Sequence, residues 1–217
     1  KLSKDYLGFP IMNSKKVALI YLEEAEINRT DRQKKQIDNL DLDDKEEITK
    51  NVYVLSANFY QYLVNEVQRN ELIQILKHIE PDVIIIDSLS RLYLGVIESS
   101  EHAQELMAFV RRIATTFGVP VLILHHLVKT KNADTIELST MAGSRIIAQE
   151  CDGVLAITKD AAGIRKLQGL AWRYYPENDD DIRYFKIDSN CLIQQVENDI
   201  SGWIPTNNSK LDMLEAF

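Results

Sequence analysis

The sequence predicts an α/β fold, a parallel sheet flanked by helices and followed by a C-terminal antiparallel extension. Three observations carry that prediction. Apolar, β-branched runs in the first 126 residues are continuous rather than alternating, as in strands covered on both faces. They take turns with segments of helical period, in the order strand, helix, strand, helix, strand, helix, strand. After residue 150 the texture changes to short strand-like runs separated by turn residues.

The first long run, "KKVALIYLEEAE" (15–26), is a strand closed by carboxylates, and "TDRQKKQIDNL" (30–40) has helical character. "DLDDKEEITK" (41–50) reads as a charged surface connection. "KNVYVLSANF" (50–59) is the next strand. "NELIQILKHIE" (70–80) is an amphipathic helix with Leu72, Ile75, Leu76 and Ile79 on one stripe. In "PDVIIIDSLSRL" (81–92) the strand runs straight into Asp87 and Ser88. "SSEHAQELMAFVRRIATTFG" (99–118) is a helix with Ser99 or Ser100 as cap, Glu101 near the positive end of the dipole, and Gly118 as its stop. "VPVLILHH" (119–126) is again a buried strand. "KTKNADTIELST" (129–140) has no period and reads as a mobile loop. "DGVLAITKD", "IRKLQGLAWRYY", "IRYFKID" and "NCLIQQVE" supply the antiparallel strands, with "ENDDD" (177–181) as a solvated turn.

At 217 residues the chain suits one large domain or one domain with a small appendage. Its formal charge of −8 excludes a global basic footprint, so any nucleic-acid contact must rest on local loops. Cys151 and Cys191 stand at no metal or redox spacing, and no signal-peptide pattern is present, which points to a reducing cytoplasm. The longest apolar stretch is interrupted by Asp87 and Arg91, so no membrane span is expected. The chain opens without Met and stops in "SKLDMLEAF" without a helix stop signal, the pattern of a piece of a longer protein.

Ligands of open parallel sheets gather beyond the carboxyl ends of the strands. Three strands here end in hard polar groups: Glu23 and Glu24, then Asp87, then His125 and His126. A carboxylate after four β-branched residues is costly to bury unless it is paired or faces a cation. Asp87 is therefore placed to hold Mg²⁺ through water beside a nucleotide phosphate. A glutamate on a neighbouring strand end can orient and polarise an attacking water. Each group also has a structural alternative: a strand-end aspartate can cap the next turn, a glutamate can favour a helix N-terminus, and a His pair can be structural or bind metal.

In these motifs the chain resembles the RecA-like P-loop ATPases of the plasmid RepA type, relatives of the hexameric replicative helicases. The resemblance covers roughly residues 5–175. "DYLGFPIMNSKKVALIYLEEAE" resembles the segment whose strand ends in the catalytic glutamate, which matches Glu23, and "RQKKQI" the basic helix that follows. "PDVIIIDSLSRL" resembles the Walker B strand, with Asp87 and Ser88 at the Mg²⁺-nucleotide. "GVPVLILHHLVKT" resembles the strand ending in His-His, with His126 as the sensor and His125 beside it. "MAGSRIIAQECDGVLAI" resembles the Gly-Ser helix and the strand that closes the core, with Asp152 at its start.

The resemblance implies ATP and Mg²⁺ as cofactors, and a RecA-like core over residues 1–200, with 201–217 as a tail or the start of a further segment. It also implies a homo-oligomeric ring acting on DNA, single-stranded by preference, in replication or repair. An arginine finger is expected among Arg145, Lys166 and Arg173. The loops 91–100 and 129–140 are the expected DNA contacts, through Tyr93, Lys129 and Lys131. Trp172, Tyr174 and Tyr175 read as core or subunit interface. The departure is the Walker A loop: no G-x-x-x-x-G-K-[ST] occurs, so the fragment by itself is expected to bind ATP poorly. A regulatory ATPase, or a ring-forming module without hydrolysis, are the alternative functions.

Overall fold

The computed structural model describes residues 5–7, 9–10, 13–56, 65–92, 99–126, 136, 138, 145–174 and 182–196. They form two compact units, Lys1–His125 and His126–Phe217.

The first unit holds a short antiparallel pair, β1 (Asp5–Tyr6) and β2 (Phe9–Pro10), and then the parallel sheet. Its strands are β3 (Val17–Tyr21), β4 (Val52–Ser56), β5 (Val83–Asp87) and β6 (Val121–Ile123). They lie in the order β4-β3-β5-β6, every neighbour parallel. Parallel neighbours need a long crossover, and helices supply it: α1 (Glu26–Asp38) and α2 (Leu42–Asn51), then α3 (Glu66–Ile79), then α4 (Ser100–Phe117). The parallel sheet flanked by helices that the apolar runs predicted is thus present.

The core is built where the runs are richest. Ala18, Ile20, Ile84 and Ile86 are fully buried in the sheet, with Leu72 and Leu76 of α3 and Ile113 of α4. Burial along β5 alternates, however. Val83, Ile85 and Asp87 are half-buried, so this strand is not sealed equally on its two faces. On α3 the buried stripe is Leu72, Ile73, Leu76 and Ile79, with Ile75 at its edge.

Local signals set the helix ends. Ser99 caps α4, its Oγ accepting from the His102 N–H at 3.2 Å. Gly118 closes that helix at φ +64°, a conformation that costs a residue with a Cβ. Residues 42–51, expected as a connection, are helical instead. The Asp41 carboxylate accepts from the Asp44 N–H at 2.9 Å, acidic residues fill the first turn, and Lys50 pairs with Glu46 one turn back. No side chain of α2 is buried, so the apolar period that normally reveals a helix is missing. The last parallel strand is shorter than the run 119–126, spanning only Val121–Ile123.

In the second unit α5 (Arg145–Glu150) precedes β7 (Gly153–Lys159), β8 (Arg165–Trp172), β9 (Arg183–Ile187) and β10 (Ile193–Val196). These four expected strands pair antiparallel in chain order, in a sheet of their own. The register of β7 on β8 shifts between Val154 and Leu155. Here Trp172 lies across two glycines: a Cβ on Gly153 would stand 2.7 Å from its ring, and one on Gly169 2.6 Å from its Nε1. The β7–β8 turn uses Gly163 at φ +82°, and Asp160 Oδ1 accepts from the Ile164 N–H at 2.7 Å. Ile136, inside the segment expected as a mobile loop, is buried and packs with Ala156 and Leu170.

Candidate active site

The register of β3 on β5 builds the site. Tyr21 stands opposite Asp87, the last residue of each strand. The Leu22 N–H donates to the Asp87 carbonyl at 2.6 Å and ties the two strand ends together one residue further. Glu23 therefore emerges beside Ser88. The Ser88 hydroxyl donates to Glu23 Oε2 at 2.5 Å, and Ser88 Oγ stands 2.8 Å from Ser90 Oγ. The Asp87–Ser88 peptide is cis.

The neighbouring strand is fastened in the same way. The Leu124 N–H donates to the Ile86 carbonyl and the Leu89 N–H to the Leu124 carbonyl, both at 2.9 Å. Leu89 and Leu92 are buried and anchor the single 3₁₀ turn at Leu89–Arg91. His125 follows Leu124 and is half-buried.

Glu23 and Glu24 have different fates. Arg32 of α1 grips Glu24 with both terminal nitrogens, Nη1 to Oε1 at 2.9 Å and Nη2 to Oε2 at 2.5 Å. The same Nη2 reaches the Tyr21 hydroxyl at 3.4 Å. Arg29, one turn earlier, is buried with its guanidinium 5.5 Å from the centre of the Tyr21 ring. Burial pushes the Tyr21 phenol up from its ordinary pKa; the charges of Asp87 and Glu24 add to the rise, and Arg32 opposes it. Burial works against the Arg32 cation, but Glu24 and Tyr21 outweigh it, and its pKa is raised. Glu24 is thus held in a structural ion pair, while Glu23 takes the Ser88 hydroxyl at the strand ends.

Of the residues singled out in the sequence, Glu23 and Ser88 are bonded side chain to side chain, Asp87 is joined through its carbonyl to Leu22, and His125 lies just beyond the end of β6. His126 opens the second unit. Arg145, Lys166 and Arg173 lie in that unit, on α5, on β8 and just after β8. The Arg173 guanidinium donates to the Gln149 carbonyl at 2.5 Å and stands 3.4 Å from Asp152 Oδ1, a cation at the carbonyl end of α5. Tyr93, Lys129 and Lys131 lie outside the described residues, as does Tyr175. Sequence reasoning missed Tyr21, Arg29, Arg32 and Ser90. One signal for the arginines was available: a spacing of three puts Arg29 and Arg32 on one face of the helix that follows the carboxylates.

Among the described residues no three His, Cys, Asp or Glu side chains gather into a metal cage. The Asp87 carboxylate offers hard oxygens, the type Mg²⁺ takes together with waters and phosphate oxygens. The 217 residues contain no glycine-rich phosphate loop. The groups present therefore fit the metal and water side of a nucleotide site and not its phosphate cradle.

A parallel sheet with two carboxylates at the carboxyl ends of adjacent strands defines a class, the α/β proteins that act on ligands at that rim. The family follows from comparison: the AAA domain family model matches residues 6–132, and the chain belongs to that family. Membership makes this an ATPase-type domain, and members generally use ATP and Mg²⁺. The matched segment contains Glu23, Asp87, Ser88, His125 and His126, and ends before Arg145 and Arg173. No curated protein matches the chain. No helix among the described residues is long and apolar enough to cross a membrane.

Proposed function

We propose that this chain is the hydrolytic part of a RecA-like ATPase domain of the RepA type, working as a homo-oligomeric ring in DNA replication or repair. The observation that supports it best is the pairing of strand ends. Tyr21 is in register with Asp87, Leu22 is bonded to the Asp87 carbonyl, and Glu23 is thereby set beside Ser88.

Bound Mg²⁺-ATP supplies the phosphoanhydride to be cleaved and the cation that offsets its charge. Asp87, at the end of β5, would hold the ion. Glu23 accepts a hydrogen bond from a water and orients it. His126, three residues after β6 in the chain, is proposed to sense the γ-phosphate, with His125 supporting it. Arg145 or Arg173 would complete the site of a neighbouring copy; for Arg173 this requires release of the Gln149 carbonyl. Lys129, Lys131 and Tyr93 are the proposed contacts to single-stranded DNA.

The test is ATP hydrolysis by the full-length protein, with and without single-stranded DNA. Glu23→Gln should abolish turnover and leave ATP binding largely intact, since the amide keeps the shape and loses the charge. Normal hydrolysis by that variant would remove Glu23 from the chemistry. A rate indifferent to DNA would favour a regulatory ATPase over a DNA motor.

A further inference from the structure

Ser88 and Ser90 form a hydroxyl chain whose direction follows from proton counting. A serine has one O–H to donate, and an ionised carboxylate only accepts. The Ser88 proton goes to Glu23 Oε2 at 2.5 Å. The 2.8 Å contact between the two hydroxyls must then be donated by Ser90 and accepted by Ser88. The order is Ser90 to Ser88 to Glu23, each bond polarising the next.

Both donors are fixed from below. Ser88 is 2% exposed. Ser90 sits in the 3₁₀ turn pinned by buried Leu89 and Leu92, by the Leu89 N–H to the Leu124 carbonyl, and by the Arg91 N–H to the Ser88 carbonyl. Glu23 itself lies past the end of β3, with the strand's ladder behind it and α1 not yet begun. A carboxylate at such a place has rotamer freedom that must be removed if it is to aim a water. The Leu22–Asp87 bond helps set the backbone, and the serine chain holds one oxygen of the side chain.

We propose that Ser88, backed by Ser90, is a positioning residue that orients the Glu23 carboxylate for hydrolysis. This deepens the proposed function and rests on it. The role differs from that of a nucleotide ligand, because it acts through Glu23 and requires Ser90.

The experiment measures steady-state ATP hydrolysis by the full-length protein as wild type, Glu23→Gln, Ser88→Ala, Ser90→Ala and Ser90→Thr. Binding of a fluorescent ATP analogue and urea midpoints are measured on the same samples. Ser88→Ala should lower kcat roughly 10- to 100-fold, the range of a misaimed catalytic group, with KM and analogue binding unchanged. Ser90→Ala should lower kcat by a smaller factor, about two- to fivefold, because it removes only the polarising bond. Ser90→Thr keeps a hydroxyl and should restore the rate. Equal kcat in wild type and Ser88→Ala, with Glu23→Gln inactive, would overturn the proposal and leave the ATPase reading standing. A kcat that rises in Ser88→Ala would also overturn it, since the bond would then be restraining Glu23. Weakened analogue binding at unchanged kcat would make Ser88 a nucleotide ligand instead. A wild type that hydrolyses no ATP would overturn both readings together.

Discussion

Removal of Arg32 should destabilise the parallel-sheet unit far more than its place on a charged helix implies. The Arg32 and Glu24 side chains are 15% and 10% exposed, so the pair is largely out of water. Arg32→Met leaves the Glu24 carboxylate in that site without either of its two guanidinium bonds and takes a donor from the Tyr21 hydroxyl. Breaking a buried pair from one side costs roughly 3–5 kcal/mol, and the residual exposure places this one at about 3 kcal/mol. Arg32→Met with Glu24→Leu removes both charges, and apolar replacements of a buried pair are often neutral, so the double variant should lose about 1 kcal/mol or less. Urea unfolding followed by far-UV circular dichroism reads the difference. With a slope of about 2 kcal/mol/M, the single variant's midpoint should fall by roughly 1.5 M. The double variant should recover most of that fall, which a double-mutant cycle reports as coupling between the two sites. A single-variant shift below about 0.3 M, or strictly additive losses, would refute the claim that the ion pair is buried and structural.

Asp87→Asn should weaken binding of the Mg²⁺-nucleotide by the full-length protein, read by titration of the nucleotide with and without Mg²⁺. Glu24→Gln should lower the urea midpoint while kcat, measured well below that midpoint, changes less than in Glu23→Gln. Gly169→Ala puts a methyl 2.6 Å from Trp172 Nε1, so the indole must move; overpacking of this kind costs about 1–3 kcal/mol and should shift the tryptophan emission. Stability should also decline in alkali. Burial, aided by the charges of Asp87 and Glu24, raises the Tyr21 pKa in the folded state, so the fold retains that proton longer than the unfolded chain does. The contribution is complete below the unfolded value of about 10 and is lost as pH climbs from there through the folded-state pKa. Tyr21→Phe should flatten the fall in urea midpoint between pH 9 and 11, and an unchanged slope would exclude Tyr21 as its source.

Much of the architecture was legible because it depends on local burial. The β-branched runs announced β3, β4 and β5, and the stripe on residues 72–79 announced α3. The turn residues after 150 announced four antiparallel strands. Asp87 stood out because a charge after four apolar residues is expensive without a use. The helix at 42–51 did not show, since it buries no side chain and is held by its cap and its charges.

What the tertiary structure decided was the direction of each polar group. Two adjacent glutamates are equivalent in the sequence. Arg32 reaches back from α1 to take Glu24, and the register of β3 on β5 delivers Glu23 to a serine 65 positions away. The 3₁₀ turn, bonded to Leu124 of the neighbouring strand, sets Ser90 behind Ser88, and Trp172 lies over Gly153 and Gly169. Apolar burial is indifferent to direction and depends on composition along a short stretch, so the chain spells it locally. A hydrogen bond needs one donor, one acceptor and a few tenths of an ångström, and strands distant in sequence meet that demand only once the sheet has set their offset.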